Sequence, residues 1–340
     1  MATRADILNA VVAADRLHRE FDTEARAERG EGRIDVFGML VKRDIPVLFR
    51  PLKKLLGAFV NDPDMDKGVI VTTRPPLRSQ RFTAAHELGH AELGHETSYD
   101  GEEILTRALF VKGAGFDPRE DQANAFATEL LTPPWLIVHH MERQWWERKD
   151  LTDPIVAYQL ALRMGSSYSA TCYALAENGG IDAATRERLL GVKPKTIKQA
   201  LLKPYEPESW YGDVWLVTER DNGMVLDGSR SDLVVLKFQE HASSGYVWQF
   251  GDLADTGLEI VEDGRAPKGS KQHVGGVVFR TVIAESQEEH GASGHVHLRE
   301  VRPWQAKGEP LNSLELDVEL SGPVRSGLLP AQQEAELAVA

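Results

Sequence analysis

Apolar positions change period along this chain, and each change marks a different kind of element. From residue 7 to 21 they fall at helical spacing (Ile7, Val11, Val12, Ala14, Leu17, Phe21), which predicts an opening amphipathic helix. A polar, glycine-containing break at Arg29-Gly30-Glu31-Gly32 precedes a second helix through Val36, Leu40 and Val41. The period then shortens. Residues 46–50, 56–60 and 68–73 are β-prone runs with turn residues between them, a small sheet placed immediately before the next helix.

That next helix, around residues 82–93, has small or apolar flanks (Phe82-Thr83-Ala84-Ala85, then Leu88, Ala91 and Leu93), as a buried helix needs. Residues 96–116 are polar and irregular. Asp117-Pro118-Arg119-Glu120 reads as a helix start with Asp at N-cap, Pro at N1 and Glu at N3. The helix runs through Ala123, Phe126, Ala127, Leu130 and Leu131, and Pro133-Pro134 stops it. A further helix is expected over residues 135–148. Two short ones follow, near 155–163 and 168–177, split at Met164-Gly165-Ser166 in the manner of a helix-turn-helix. The second carries no Lys or Arg through Leu175, so it suits packing better than reading DNA. From Trp210 the pattern becomes β: residues 213–217, 232–238, 247–250, 277–282, 294–298 and 314–320 are spaced short strands, as in a sandwich. The tail after Ser321 is expected to be disordered.

With 340 residues, 42% of them hydrophobic, the chain is long enough for two or three cores. No apolar run approaches the roughly 18 residues of a membrane span, and the single cysteine, Cys172, excludes an intrachain disulfide. A cytoplasmic protein without membrane contact is the expectation. Net charge is −13, and it belongs mainly to the C-terminal part: residues 1–210 hold 28 Lys+Arg against 31 Asp+Glu, residues 211–340 hold 11 against 21. Such a surface offers nucleic acid no general attraction, so direct binding of it is not expected. The basic run Arg186, Arg188, Lys193, Lys195, Lys198 and Lys203 reads as a solvated face and linker.

The chemistry concentrates in His86-Glu87-Leu88-Gly89-His90. On a helix the two imidazoles share a face, a zinc-ligand spacing, and Glu87 is placed to act as general base rather than as ligand. The bland alternative is a surface His pair on an amphipathic helix. A catalytic zinc needs a third protein ligand and an open fourth position. A His at the metzincin spacing is missing, because Leu93 and Glu96 stand three and six residues after His90. His95 reads as a helix-end residue whose positive charge would complement the C-terminal dipole. Among the carboxylates Glu120 is the best candidate, with Asn124 one turn on as a possible hydrogen-bonding support; Glu102, Glu103 and Asp117 remain alternatives. Glu120 could instead merely complete a capping box with Asp117.

These residues resemble the ImmA/IrrE metallopeptidases of bacteria, phages and mobile elements. The likeness rests on His86–His90 with Leu93-Gly94-His95, and on Glu120 to Ala127 followed by Leu130-Leu131 and Pro133, against a family pattern near ExEANxFAxxLLxP. Gln122 stands where that pattern has a second Glu, which leaves Glu120 as the matching ligand and Gln122 without an implied role. The resemblance spans roughly residues 5–190. It implies Zn2+ on His86, His90 and Glu120, Glu87 activating a water, and a protein substrate, often a helix-turn-helix repressor encoded nearby, in phage, mobile-element, defence or stress control.

The β-region is similar to chagasin-like inhibitors of papain-type peptidases over roughly residues 222–320. Three loop patterns of that family, close to NPTTGY, GxGG and RPW, correspond to His241-Ala242-Ser243-Ser244-Gly245-Tyr246, to Val274-Gly275-Gly276, and to Arg302-Pro303-Trp304. The first loop departs from the pattern, which favours a recognition or regulatory module over an active inhibitor; a peptidase or peptide is the partner implied. The glycines are also plain turn residues, and Trp248 a core aromatic. His295 and His297 read as a surface pair and Cys172 as a packed thiol.

The fold expected is therefore α+β and multidomain: a mostly helical, zincin-like peptidase domain with a small sheet (1–150), a helix-turn-helix-like unit with linker (151–205), an immunoglobulin-like sandwich (206–321) and a tail (322–340). A zinc endopeptidase is the leading function. A binding protein that sequesters its partner and a DNA-associated regulator are the rivals.

Overall fold

The computed structural model describes residues 2–30, 32–52, 55–61, 67–96, 98–101, 117–267, 278–287, 291–305 and 308–321. The chain divides into two compact units. One comprises Met1–Glu142 and Trp146–Gly191, the other Arg143–Trp145 and Val192–Gly322.

In the first unit α1 (Arg4–Glu20) starts on a capping box in which the Thr3 hydroxyl accepts from Asp6 N–H and the Asp6 carboxylate accepts from Thr3 N–H. Short helices α2 (Thr23–Glu28) and α3 (Val36–Lys42) lead to strands β1 (Val47–Arg50), β2 (Leu55–Val60) and β3 (Gly68–Thr72). Helix α4 (Leu77–Glu92) follows, then β4 (Ser98–Gly101) and α5 (Pro118–Leu131). The sheet order is β1-β3-β2-β4, with β1 parallel to β3 and the other pairs antiparallel. The small sheet before the motif helix stands as expected, with one addition: β4, in a stretch read as irregular, pairs with β2 and leaves β1 and β4 as the sheet's edges.

Helix α4 packs on β2 and β3 and on α5, and α5 also packs on α1. Gly89 is why α4 and α5 approach closely: a Cβ there would lie 3.0 Å from the Phe126 ring and 3.3 Å from Ala123 Cα. Helix α6 (Pro134–Gln144) ends four residues earlier than its periodicity suggests, where Trp145 takes φ 57°. The α7 (Pro154–Met164) and α8 (Tyr168–Glu177) pair is joined through Gly165 at φ 67°, and Cys172 is buried in it as a packed thiol. The basic run is largely helical: Arg186 and Arg188 lie in α9 (Ala183–Leu190), Lys195 and Lys198 in α10 (Pro194–Leu202), and Lys193 and Lys203 cap α10.

The second unit holds two four-stranded sheets. One has the order β5 (Val214–Val217), β7 (Leu233–Glu240), β10 (Val278–Ser286), β9 (Leu258–Pro267). The other runs β6 (Met224–Ser229), β12 (Asn312–Ser321), β11 (Gly291–Val301), β8 (Val247–Gln249). A one-turn helix, α11 (Asp252–Asp255), joins β8 to β9. The sheets meet where Phe238 of β7 packs on Trp248 of β8, ring centroids 4.7 Å apart, and Trp248 Nε1–H donates to Gln239 O at 2.8 Å. The other side of the first sheet is sealed by Leu202 of α10 against Val214, Leu233, Val235 and Ile283. The architecture is α+β and multidomain, with a C-terminal β-sandwich. Strands β6 and β9, absent from the sequence reading, complete its sheets. No helix among the described residues is long and apolar enough to cross a membrane.

Candidate metal centre

Every residue of α4 from Thr83 to His90 is buried, including His86, Glu87 and His90. Interior positions on a helix favour apolar groups, and a carboxylate or imidazole taken from water costs several kcal/mol unless something compensates. The surface-pair alternative is therefore excluded by position. Glu87 faces β2. Gly57 is the strand residue it meets, and a Cβ added to Gly57 would lie 2.5 Å from Glu87 Oε1.

Helix α5 brings the complementary groups. Asp117 caps it by accepting from Arg119 N–H at 2.9 Å, and it pairs with the Arg119 guanidinium, which holds its carboxyl below the usual carboxylate range. Glu120 does not complete that cap with its side chain. Its Oε2 lies 3.3 Å from His86 Nε2 and its Oε1 3.5 Å from His90 Nε2, while the two Nε2 atoms are 3.0 Å apart. One turn on, Asn124 Oδ1 accepts from His86 Nδ1 at 3.0 Å. That bond fixes the imidazole proton on Nδ1 and turns the Nε2 lone pair toward Glu120.

Two imidazole nitrogens and a carboxylate oxygen thus converge, with one ligand atom from each of His86, His90 and Glu120 inside a 4.8 Å span. Zinc bonds of about 2.0–2.1 Å give tetrahedral ligand–ligand edges of roughly 3.3 Å. The donors fit that spacing, and a nitrogen–nitrogen–oxygen set suits zinc with a fourth position left over. This cluster could hold a metal ion. Of the alternative ligands, Asp117 is engaged with Arg119, while Glu102 and Glu103 lie outside the described residues.

His95 is a correction. Helix α4 ends in a Schellman motif: Gly94 sits at φ 70°, Gly94 N–H donates to Ala91 O at 3.3 Å, and His95 N–H donates to His90 O at 2.9 Å. This turn folds the His95 ring back onto the motif, with Nδ1 2.9 Å from His90 Nδ1 and Nε2 2.9 Å from Gln122 Oε1. Burial holds the His95 pKa below its ordinary value, with Gln122 opposing through its hydrogen bond. A cation complementing the helix dipole is therefore the wrong picture. Gln122, left without a role by the sequence, is the side chain that receives His95. The signal that could have found this is Leu93-Gly94-His95, which begins three residues after the second candidate ligand, read as a C-cap.

In the sandwich, two of the three candidate partner-binding loops form one cluster. Arg302 Nε donates to Ser244 O at 3.1 Å and its guanidinium lies 4.5 Å over the Tyr246 ring. Trp304 rests on Gly245, at φ 80°, so closely that a Cβ there would come 2.7 Å from Trp304 Cζ2. Ser243, Pro303 and Trp304 are exposed. The loop's start is pinned by the fully buried Glu300, which accepts from His241 N–H at 2.7 Å and Asn312 Nδ2 at 2.7 Å. Gly275 and Gly276 of the third loop, with Val274, His273 and His290, lie outside the described residues. His295 forms a cross-strand pair with Asp317 at 2.9 Å.

Residues 41–176 match the family model of the IrrE N-terminal-like domain, Peptidase_M78. The match contains α4 and α5 whole, and so every residue of the candidate centre. It gives the first unit a metallopeptidase-like domain. No curated protein matches the chain. Among solved structures, the cysteine protease inhibitor EhICP2 of Entamoeba histolytica is 24% identical, covering 34% of this chain and 99% of its own, with TM-score 0.29. Amebosin is 15% identical over 32% of this chain and 96% of its own, with TM-score 0.27.

Proposed function

We propose that the chain is a zinc-dependent endopeptidase that cuts a specific protein partner, a helix-turn-helix repressor being the case its resemblance implies. The observation that carries this reading is the convergence of His86, His90 and Glu120 beside a fully buried Glu87. A structural helix has no use for a buried carboxylate next to two imidazoles whose lone pairs face a third acceptor. A peptidase needs all four.

His86, His90 and Glu120 are the residues that would hold the ion, and Asn124 would orient His86. Zinc supplies Lewis acidity toward a peptide carbonyl and makes a water acidic enough to be used at neutral pH. Glu87 takes the water's proton and delivers it to the leaving amine. Its seat against β2 keeps it fully buried, out of bulk water. The loop cluster of Ser243, Ser244, Gly245, Tyr246, Arg302, Pro303 and Trp304, together with Gly275 and Gly276, is assigned to partner recognition. An exposed Trp on a pinned loop offers large contact area at small entropic cost. We read residues 1–150 as the peptidase domain, 151–205 as the helical unit and 206–321 as the recognition module.

The test compares wild type with Glu87→Gln, loaded with zinc, against the proteins encoded beside it. Cleavage by wild type alone, at equal zinc content, is expected. Cleavage by both removes Glu87 from the base role, whereas stable binding without cleavage by either replaces the enzyme with a sequestering protein. Undiminished zinc in Glu120→Ala would move the third ligand elsewhere.

A further inference from the structure

Behind His90 the structure places two polar side chains in a line, and proton counting fixes what each must do. A ligating imidazole presents a lone pair from Nε2, so a neutral His90 carries its hydrogen on Nδ1. The atom facing that hydrogen is His95 Nδ1, at 2.9 Å, which must therefore accept. His95 then carries its own hydrogen on Nε2. The group facing it, Gln122 Oε1 at 2.9 Å, is an acceptor and nothing else. Each link admits one arrangement, and the three agree.

We propose that His95 and Gln122 are positioning residues that hold His90 in the Nδ1–H tautomer, with Nε2 aimed at the His86–Glu120 pair. The proposal rests on the metal site of the preceding subsection. Its geometry is built in at the backbone. The Schellman turn at Gly94 delivers His95 to His90 although the two are five residues apart, a separation that a continuing helix would place on different faces. Asn61 Nδ2, just beyond β2, donates to His95 O at 3.1 Å and ties the turn to the sheet. His86 has the equivalent support from Asn124. Both candidate imidazoles are thus backed by an acceptor, one directly from α5 and one through His95 to α5.

The test measures zinc affinity of the full chain by competition with a chromophoric chelator, with the visible spectrum of the Co2+-loaded protein as a second readout of ligand geometry. His86→Ala is the control for the site itself. His95→Leu removes the acceptor, and His95→Asn, of the same shape, restores one near the position of Nδ1. Outer-shell loss typically weakens metal binding about 10- to 100-fold, so that loss is expected for His95→Leu, with His95→Asn within about threefold of wild type. Gln122→Met keeps length and loses the acceptor at the far end; a loss of about threefold to tenfold is expected, the worth of one neutral hydrogen bond. The Co2+ spectrum should shift in His95→Leu and return in His95→Asn. Wild-type affinity in His95→Leu overturns the proposal, as does an Asn variant no better than Leu. Should His95→Leu not fold, wild-type affinity in Gln122→Met overturns it instead. Tight zinc binding by His86→Ala would overturn the metal site beneath it.

Discussion

Gly57→Ala is the smallest change that should disable the proposed chemistry without touching a ligand. The added methyl would point from β2 into α4, 2.5 Å from Glu87 Oε1, where ordinary contact begins at 3.4 Å, so the carboxylate must retreat by about 0.9 Å. The other neighbours leave little room for the strand to move instead, since Ile70 O would stand 3.2 Å away and Thr83 Cγ2 is in the path as well. A misplacement of about 1 Å in a catalytic group costs on the order of 10²-fold in rate, equivalent to about 2.7 kcal/mol of barrier. Overpacking adds about 1–3 kcal/mol of lost stability. The three atoms nearest the methyl belong to Thr83, Glu87 and Ile70 and to none of the three candidate ligands, so zinc content should stay at the wild-type level. The assay is hydrolysis of the cleaved partner by wild type and Gly57→Ala at matched zinc loading, with thermal unfolding alongside. A variant that folds, holds zinc and cuts at the wild-type rate would refute the placement of Glu87 against β2 as the seat of the base.

Asn124→Ala should weaken zinc binding about 10- to 100-fold in the chelator assay while the fold persists; unchanged affinity would show that His86 needs no acceptor on Nδ1. Cys172, buried and with its thiol pushed up to about 11, should resist a thiol reagent at pH 8, where about one in 10³ is ionised, and react only on unfolding. Rapid labelling of the native protein would contradict that. Asp232 is buried, and desolvation together with the Asp213 charge raises its pKa to about 6. This folded value lies above the unfolded one near 3.9, so the stability the group contributes is fully present below about pH 4 and is lost as pH rises through 6, by roughly 3 kcal/mol at most. Chemical denaturation from pH 4 to 7 should therefore show wild type losing stability relative to Asp232→Asn, and a flat difference would refute the shift.

How much of this was legible depended on how much apolar surface each element buries. Helices α1 and α5 carry a buried residue each turn and a capping residue at the start, so periodicity and the Asp117-Pro118 signal found them. Helices α9 and α10 bury only Leu189 in one case and Ile197, Lys198 and Leu202 in the other, and their charged residues read as linker. Strand β9 pairs along β10 with Glu259, Glu262, Asp263 and Arg265 in its run, so composition hid what register shows. Strand β4 owes its existence to pairing with β2, a long-range partner that no local pattern displays. In the candidate site, the spacing of His86 and His90 followed from helix geometry, whereas Glu120, on a different helix, was one carboxylate among several until the family resemblance matched it to a ligand. Which imidazoles share a side of α4 is a question that sequence answers; that Glu120 meets them there is set by the packing of α5 on α4.

The back of an imidazole is a different question. The acceptor behind His86 lies one turn along the same helix as Glu120, and the regular spacing of α5 made Asn124 visible as a candidate. The acceptor behind His90 is reached through a reversal of the chain, where the helix rule of three and four residues no longer applies. Judging His95 only as a possible third ligand, by metzincin spacing, or as a charge at a helix end, left out the function a C-cap can have. Once Gly94 takes the left-handed conformation, the residue after it is returned to the last turn it left, which in an ordinary helix is where an apolar contact forms. Here that returning residue is an imidazole, and the last turn contains His90. The same three residues that stop α4 therefore set the proton on His90, and Gln122 becomes intelligible as the end of that line rather than as a departure from a pattern.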